Sequence, residues 1–347
     1  MYLNFFNKII CQIEGSATNY LSFLYPLFVT NESQKLSYQI IIKEKPKLIP
    51  KGVAISKSYF FTEDTLFVAD NQGHWLSLCW SEDTQPRIFY HPSYNKIKLS
   101  KILEWVVHQL AAIENLVFLH AMGFASGESA LVCPAWLNTG KTRALMHLLN
   151  EGNKLIGDDW IVLDSRGGVW AFPKAPLLYL HDLRELPRRL RQYLGQSQKF
   201  VAALASCGGP LLNKILTLAL RYKFIVELPV AFPVDKLPVV HPYKLIKVRK
   251  VLYLVRSCQT NFSCEALDKE TFVARAMNIY QYEYNNLLHS SVWRYAFPKD
   301  VKLFNHYKRV QELLSNLFFP ELRLLKIPLG ADGTALASFL NKEVRNR

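Results

Sequence analysis

Eight consecutive residues, Ala135-Trp136-Leu137-Asn138-Thr139-Gly140-Lys141-Thr142, carry the types that phosphate binding needs at the spacing it needs. They fit the phosphate-binding loop pattern (P-loop, or Walker A) with Ala in the first position. Backbone N–H groups of a turn at a helix N-terminus can cradle phosphate oxygens. Lys141 would then reach the β- and γ-phosphates of ATP, and the Thr142 hydroxyl could ligate Mg²⁺. Ala135 and Asn138 stand where such loops commonly have Gly, and Trp136 and Leu137 are bulky. Asn tolerates the left-handed conformation better than most residues, which suits Asn138 to that place. Lys141, as an exposed loop residue, is expected to serve binding and to add little to stability.

Asp158-Asp159 follows Thr142 by sixteen residues, between apolar runs. Two adjacent carboxylates there are costly unless a cation accompanies them. Opposite Thr142 they could bind Mg²⁺ and accept a substrate proton. On one strand, alternation sends their side chains to opposite faces unless the strand ends or bulges, so unequal roles are expected. His120 lies among apolar residues, where a histidine is more often a satisfied core residue than a functional one.

The elements around these residues can be read from their periodicity. A strand is expected over Phe5–Ile13, then a helix capped by Ser16. Residues 36–92 hold short strands (LSYQIII, AISKSYFF, TLFVAD, HWLSLCW, RIFYH), with a hairpin turn at Asp70-Asn71-Gln72-Gly73. From Ser100 the period becomes helical, with Leu103, Val106, Val107, Leu110, Ile113 and Val117 on one side. Strands at about Phe118–Ala125 and Ala130–Cys133 lead into the loop. A helix from about Lys141 to Asn150 follows, with Gly152 as its stop, and KLIGDDWIVLD reads as one strand. Residues 182–232 read as mainly helical, KVRKVLYLVR (247–256) as strand, 269–288 and 306–317 as helices, and LRLLKIPLG as strand. The organisation expected is a strand-rich region over 1–99 packed on a domain over 100–347, with a helical insertion at about 182–232.

With these elements in order, LHAMGFASGESALVCPAWLNTGKTRALMHLLNEGNKLIGDDWIVLD resembles the catalytic core of HPr kinase/phosphorylase and its serine-kinase relatives, which include lasso peptide kinase-like proteins. The resemblance covers Leu119 to roughly Pro176. It implies an α/β fold with a P-loop core of the HPr kinase and phosphoenolpyruvate carboxykinase-like type, a strand-rich N-terminal part and additional C-terminal helices. It further implies ATP-dependent transfer of phosphate to a serine-type hydroxyl of a peptide, a protein or a small molecule. By the same resemblance His120 matches the family's strand histidine, Asp158 would be the base, and Asp159 would support metal, together with Thr142, or position Lys141. The position after Thr142 is Arg143, where HPr kinase/phosphorylase has an acidic residue, and the Arg- and Asn-containing loop of its reverse reaction has no counterpart. A divergent kinase relative is therefore expected. Its alternative is a nucleotide-binding regulatory or scaffold protein whose altered loop supports no turnover.

Composition bounds the rest. With 347 residues, half of them hydrophobic and 13% aromatic, the chain can bury a large core, so disorder is not expected. Lys and Arg outnumber Asp and Glu by 42 to 28, a balance that favours anionic partners. The basic runs Arg184–Arg191 and Lys244–Lys250 lack interleaved aromatics apart from Tyr243, so nucleic acid is not expected. Six scattered cysteines show no zinc spacing and suit a reducing compartment. Without a signal-peptide pattern or a transmembrane run, the expectation is a cytoplasmic protein, and a homo-oligomer is compatible with it.

Overall fold

Residues 1–31, 36–80, 85–178, 180–194, 230–288, 290–297 and 305–345 are described by a computed structural model. The fold is mixed α/β, with two large sheets and a run of helices toward the C-terminus.

The first sheet is built by β1 (Tyr2–Phe5), β2 (Ile9–Ile13), β3 (Val29–Thr30), β4 (Tyr38–Glu44), β5 (Val53–Ser56), β6 (Tyr59–Phe61), β7 (Thr65–Ala69), β8 (Trp75–Cys79) and β9 (Arg87–Tyr90). Their order is β3-β1-β2-β4-β9-β8-β7-β6-β5. The single strand expected over Phe5–Ile13 is instead a hairpin. Phe6 and Asn7 take left-handed φ of 59° and 55°, and Asn7 N–H donates to Asn4 Oδ1 at 3.1 Å. Helix α1 (Ala17–Leu24) begins after Ser16, but the Ser16 side chain makes no capping bond. At Asp70-Gly73 the expected hairpin turn forms, and Asp70 Oδ2 also accepts from Asn95 N–H, tying this sheet to the start of α2 (Lys96–Ile113).

Helix α2 is buried on nearly all sides, because it packs against β2 of the first sheet and against β10 (Leu116–Ser126) of the second. It stops at Ile113, short of the expected Val117. Asn115 turns at φ 59°, and Val117 pairs with Leu163 inside the sheet.

The second sheet adds β11 (Ser129–Pro134), β12 (Lys154–Gly157), β13 (Trp160–Asp164), β14 (Gly168–Trp170), β17 (Leu245–Ser257), β18 (Ser263–Ala266) and β19 (Leu322–Pro328). Strand β17 pairs with β14 at its start, with β11 along its middle and with β19 toward its end. Strands β11, β10, β13, β14 and β17 therefore close into a ring. Because β11, β17 and β19 run parallel, their C-terminal ends meet at one edge.

Helix α3 (Lys141–Asn150) follows β11, and the last helix, Gly333–Arg345, follows β19. The two pack together over a second apolar cluster that includes Met122, Leu131, Leu145, Leu252, Leu325 and Leu336. Helices α4 (Leu180–Glu185) and α5 (Arg188–Arg191) open the expected helical insertion, and residues 195–229 of it lie outside the described residues. A ribbon of β15 (Leu177–Leu178) and β16 (Val230–Ala231) brackets that stretch. Helices α6 (Lys269–Leu287), α7 (Ser290–Ala296) and α8 (His306–Asn316) precede β19, and α9 names Gly333–Arg345. Among the described residues no helix is long and apolar enough to cross a membrane, and no disulfide joins Cys11, Cys79, Cys133, Cys258 and Cys264.

A buried ion pair between α2 and the chain beyond β14 also reaches the N-terminal part through Tyr25. Glu104 of α2 accepts from the Tyr25 hydroxyl and from Lys174 Nζ at 2.7 Å. Burial alone would depress the Lys174 pKa, but Glu104 more than reverses this and raises it. Removing one partner of a buried pair leaves an uncompensated charge. Glu104→Gln should therefore lower unfolding stability by about 3–5 kcal/mol in urea titrations. An unchanged midpoint would show that this buried contact contributes little to the fold.

Candidate active site

Strand β11 ends at the common edge, and the loop begins there. Ala135, one residue past the strand, forms a lone bridge to Leu254 of β17 and is fully buried. Asn138 and Gly140 take left-handed φ of 60° and 89°, which curls the chain tightly into the first turn of α3. Asn138 thus occupies a conformation that glycine often fills. Thr139 Oγ1 donates to Trp136 O at 3.1 Å and closes the curl from within. The expected exposure of Lys141 is corrected here, because its side chain is buried. Its Nζ donates to Ala135 O at 2.9 Å and Trp136 O at 3.1 Å. Burial lowers the Lys141 pKa, and the charges of Asp159, Asp158 and Glu283 oppose that shift.

The expected strand KLIGDDWIVLD is interrupted between β12 and β13. Both halves pair with β10, Gly157 opposite Gly123 and Trp160 opposite His120, so Asp158 and Asp159 fall at the join. Asp159 adopts φ 67°, and Trp160 N–H donates to Asp158 O at 2.9 Å. The break makes the two carboxylates unequal. Asp158 is 4% exposed, whereas the Asp159 side chain is 49% exposed. Thr142 Oγ1 donates to Asp158 Oδ2 at 2.9 Å, and Asp158 Oδ1 is buried with no hydrogen-bond partner. Burial, reinforced by the neighbouring Asp159 charge, pushes the Asp158 pKa up to about 7, against the opposing effects of Thr142 and Lys141. The hydroxyl expected to share a cation with Asp159 thus lies on Asp158.

His120 faces the same loop. A carbonyl can only accept, so the 3.1 Å contact with Ala135 O places a proton on Nδ1. Burial, and then the Lys141 charge, holds the pKa well below the ordinary histidine value, so the ring is neutral. Its Nε2 lone pair lies 3.9 Å from Asp159 Oδ1.

Several contacts around the loop were not legible in the sequence. Arg143 is held by Asp182 at 3.1 Å and by Glu185 at 2.6 Å, so the cation after Thr142 is turned to α4. Trp136 and Tyr282 of α6, both about half exposed, face each other with ring centroids 5.1 Å apart. Arg256, near the end of β17, comes close to Gly140. Only the strand period of KVRKVLYLVR was legible for that residue. Nothing in its spacing links it to a loop more than a hundred residues earlier.

Thr142 and Asp158 supply two oxygens that fit a hard divalent cation, and the unbonded Asp158 Oδ1 is an atom such an ion would satisfy. Among the described residues no three His, Cys, Asp or Glu side chains converge on one point. An ion there would take its remaining ligands from phosphate and water, as Mg²⁺ commonly does. No model of a known protein family matches this chain, and no curated protein matches it in sequence.

The raised pKa of Asp158 has a sign in stability. Between the unfolded value near 4 and the folded value near 7, the folded state holds a proton that the unfolded state has lost. Stability conferred by the protonated form is present at low pH and declines as pH rises through that window. Asp158→Asn should remove this decline. The variant should match wild type near pH 4 and exceed it by up to a few kcal/mol at pH 8. Parallel pH profiles in urea unfolding would contradict the burial of an ionising Asp158.

Proposed function

We propose that this chain is an ATP-dependent kinase that transfers the γ-phosphate to a hydroxyl of a peptide, a protein or a small molecule. In this reading it is a divergent relative of HPr kinase, with a P-loop core of the HPr kinase and phosphoenolpyruvate carboxykinase-like type. The observation that carries the proposal is the contact of Thr142 with a buried, half-satisfied Asp158 directly behind a strand–loop–helix turn. Backbone N–H groups of the loop and first turn of α3 would bind phosphate oxygens. Lys141 would leave the carbonyls of Ala135 and Trp136 for the β- and γ-phosphates. Thr142 and Asp158 would hold Mg²⁺, which neutralises charge on the phosphates when bound.

The exposed Asp159 stands where an acceptor can reach it, with the His120 lone pair behind it. In the proposed step the acceptor O–H bond breaks and its proton passes to Asp159. The new O–P bond forms while the bond from the γ-phosphorus to the ADP oxygen breaks. This exchanges the roles that the family resemblance gives the two aspartates. His120 acts as a positioning residue, because its proton on Nδ1 fixes the Ala135 carbonyl that Lys141 also uses.

A second reading has one observation in its favour. Lys141 is already bound by its own loop, so a nucleotide must compete with two carbonyls for it. A protein that binds nucleotide as a regulatory or scaffold unit, without turnover, is compatible with that arrangement.

Labelled-phosphate transfer, to water and to serine peptides, with Mg²⁺ titration separates these possibilities. Wild type should bind MgATP and transfer phosphate. Asp159→Asn should lose about 10²–10⁴-fold in transfer while still binding ATP. Asp158→Asn should instead raise the Mg²⁺ concentration needed for half-maximal rate. The reverse pattern would return the base to Asp158. Binding without transfer in wild type would favour the regulatory reading, and no nucleotide binding would overturn both.

A further inference from the structure

Arg256 reaches the loop from the side of β11 opposite the acid pair. Asp158 and Asp159 lie at the join of β12 and β13, both of which pair with β10, whereas Arg256 lies on β17, the other neighbour of β11. Its guanidinium is fixed through one nitrogen. Nη1 donates to Pro328 O and to Ala331 O, each at 2.8 Å, at the end of β19. Both Nη1 hydrogens are thereby used. The opposite edge, Nε with Nη2, makes no hydrogen bond or ion pair among the described residues; the Glu185 charge is felt there, but that carboxylate is paired with Arg143, whose own charge opposes it. That edge is the fork with which arginine binds two oxygens of one phosphate.

The fork is placed against the loop. A Cβ built on Gly140 would lie 3.0 Å from Arg256 Nη2, so the glycine serves both its left-handed φ of 89° and the approach of the guanidinium. Lys141 is the residue after Gly140, and Thr142 with its partner Asp158 closes the far side. A polyphosphate over this loop would therefore have carboxylate and hydroxyl oxygens on one flank and a pinned guanidinium on the other.

We propose that Arg256 is a phosphate ligand whose Nε–Nη2 edge takes two oxygens from the distal phosphates of the nucleotide held by the loop. This rests on the nucleotide-binding reading above and adds a residue that neither the loop pattern nor the family resemblance supplies. Arg256 reads the polyphosphate tail. The nucleoside lies outside its reach. Recognition should therefore depend on the number of phosphates and be shared by inorganic tripolyphosphate.

Calorimetry on the full chain, with MgATP, magnesium tripolyphosphate and AMP as ligands, tests this. Wild type should bind ATP and tripolyphosphate. Arg256→Gln should weaken both by about 10- to 100-fold, the range for losing hydrogen bonds to a charged group, and leave AMP affinity unchanged. Arg256→Lys, which keeps the charge without the fork, should recover only part of the loss. It also serves as the variant to measure if Arg256→Gln does not fold, and wild-type affinity in Arg256→Lys would overturn the bidentate contact. Unchanged ATP affinity in Arg256→Gln would overturn the proposal while leaving the loop's nucleotide binding intact. Equal losses for ATP, tripolyphosphate and AMP would also overturn it, since freeing the Pro328 and Ala331 carbonyls would then have distorted the whole loop. Wild type that binds neither ATP nor tripolyphosphate would overturn both this assignment and the nucleotide reading.

Discussion

Asp158 is a carboxylate kept almost out of water with one oxygen bonded to Thr142 and the other to nothing. Leaving a buried acceptor unsatisfied costs roughly 1–3 kcal/mol, and more if the group ionises. Much of the surrounding structure accounts for how that cost is carried. The break between β12 and β13 turns Asp159 outward, so that only one carboxylate of the pair is buried. Lys141 is drawn inward within reach of both charges and kept there by the Ala135 and Trp136 carbonyls. His120 stays neutral, which avoids a second buried cation beside Lys141. The site thus keeps one buried carboxylate beside one buried ammonium, with one oxygen of Asp158 still unbonded.

The ring of strands makes this balance possible. Strand β10 is long enough to pair with β11 on one side and with both β12 and β13 on the other, so the loop and the acid pair are fixed to one element. The parallel arrangement of β11, β17 and β19 then brings Ala135, Arg256 and the Pro328–Ala331 turn to the same edge. Groups far apart in sequence meet there because parallel pairing aligns strand ends, whereas a hairpin aligns neighbours. Two apolar clusters support the edge from opposite faces, one around α2 and one beneath α3 and α9.

Much of this was legible in the sequence where the physics is local. The alternating apolar runs located β4 and β7 to β9, and the sudden change of period located α2, whereas AISKSYFF, expected as one strand, turns back on itself as β5 and β6. Asn138 was identified as fit for a left-handed position, and it occupies one. What escaped was set by contacts distant in sequence. Phe6-Asn7 folds back because Asn4 and Asn7 bond to each other, a pattern hidden inside an apolar run. The same holds for Asp158-Asp159, where a strand-like composition conceals a left-handed residue. Exposure of Lys141 was misjudged because a loop lysine is ordinarily solvated, and only the inward carbonyls of its own loop show otherwise. Arg256 had no signal beyond ending a strand. Its role depends on which strand lies beside β11, and periodicity does not encode strand order.

The most direct test of the account follows the proton on Asp158. If Thr142 and Asp158 hold the cation of a bound MgATP, the ligand must displace the proton that a pKa of about 7 leaves on Asp158 at neutral pH. Calorimetric titration of MgATP at pH 7, repeated in two buffers of different ionisation enthalpy, measures that proton. Net proton release by wild type, and none by Asp158→Asn, is the result the account predicts. Binding without proton release, or equal release by wild type and Asp158→Asn, would contradict it.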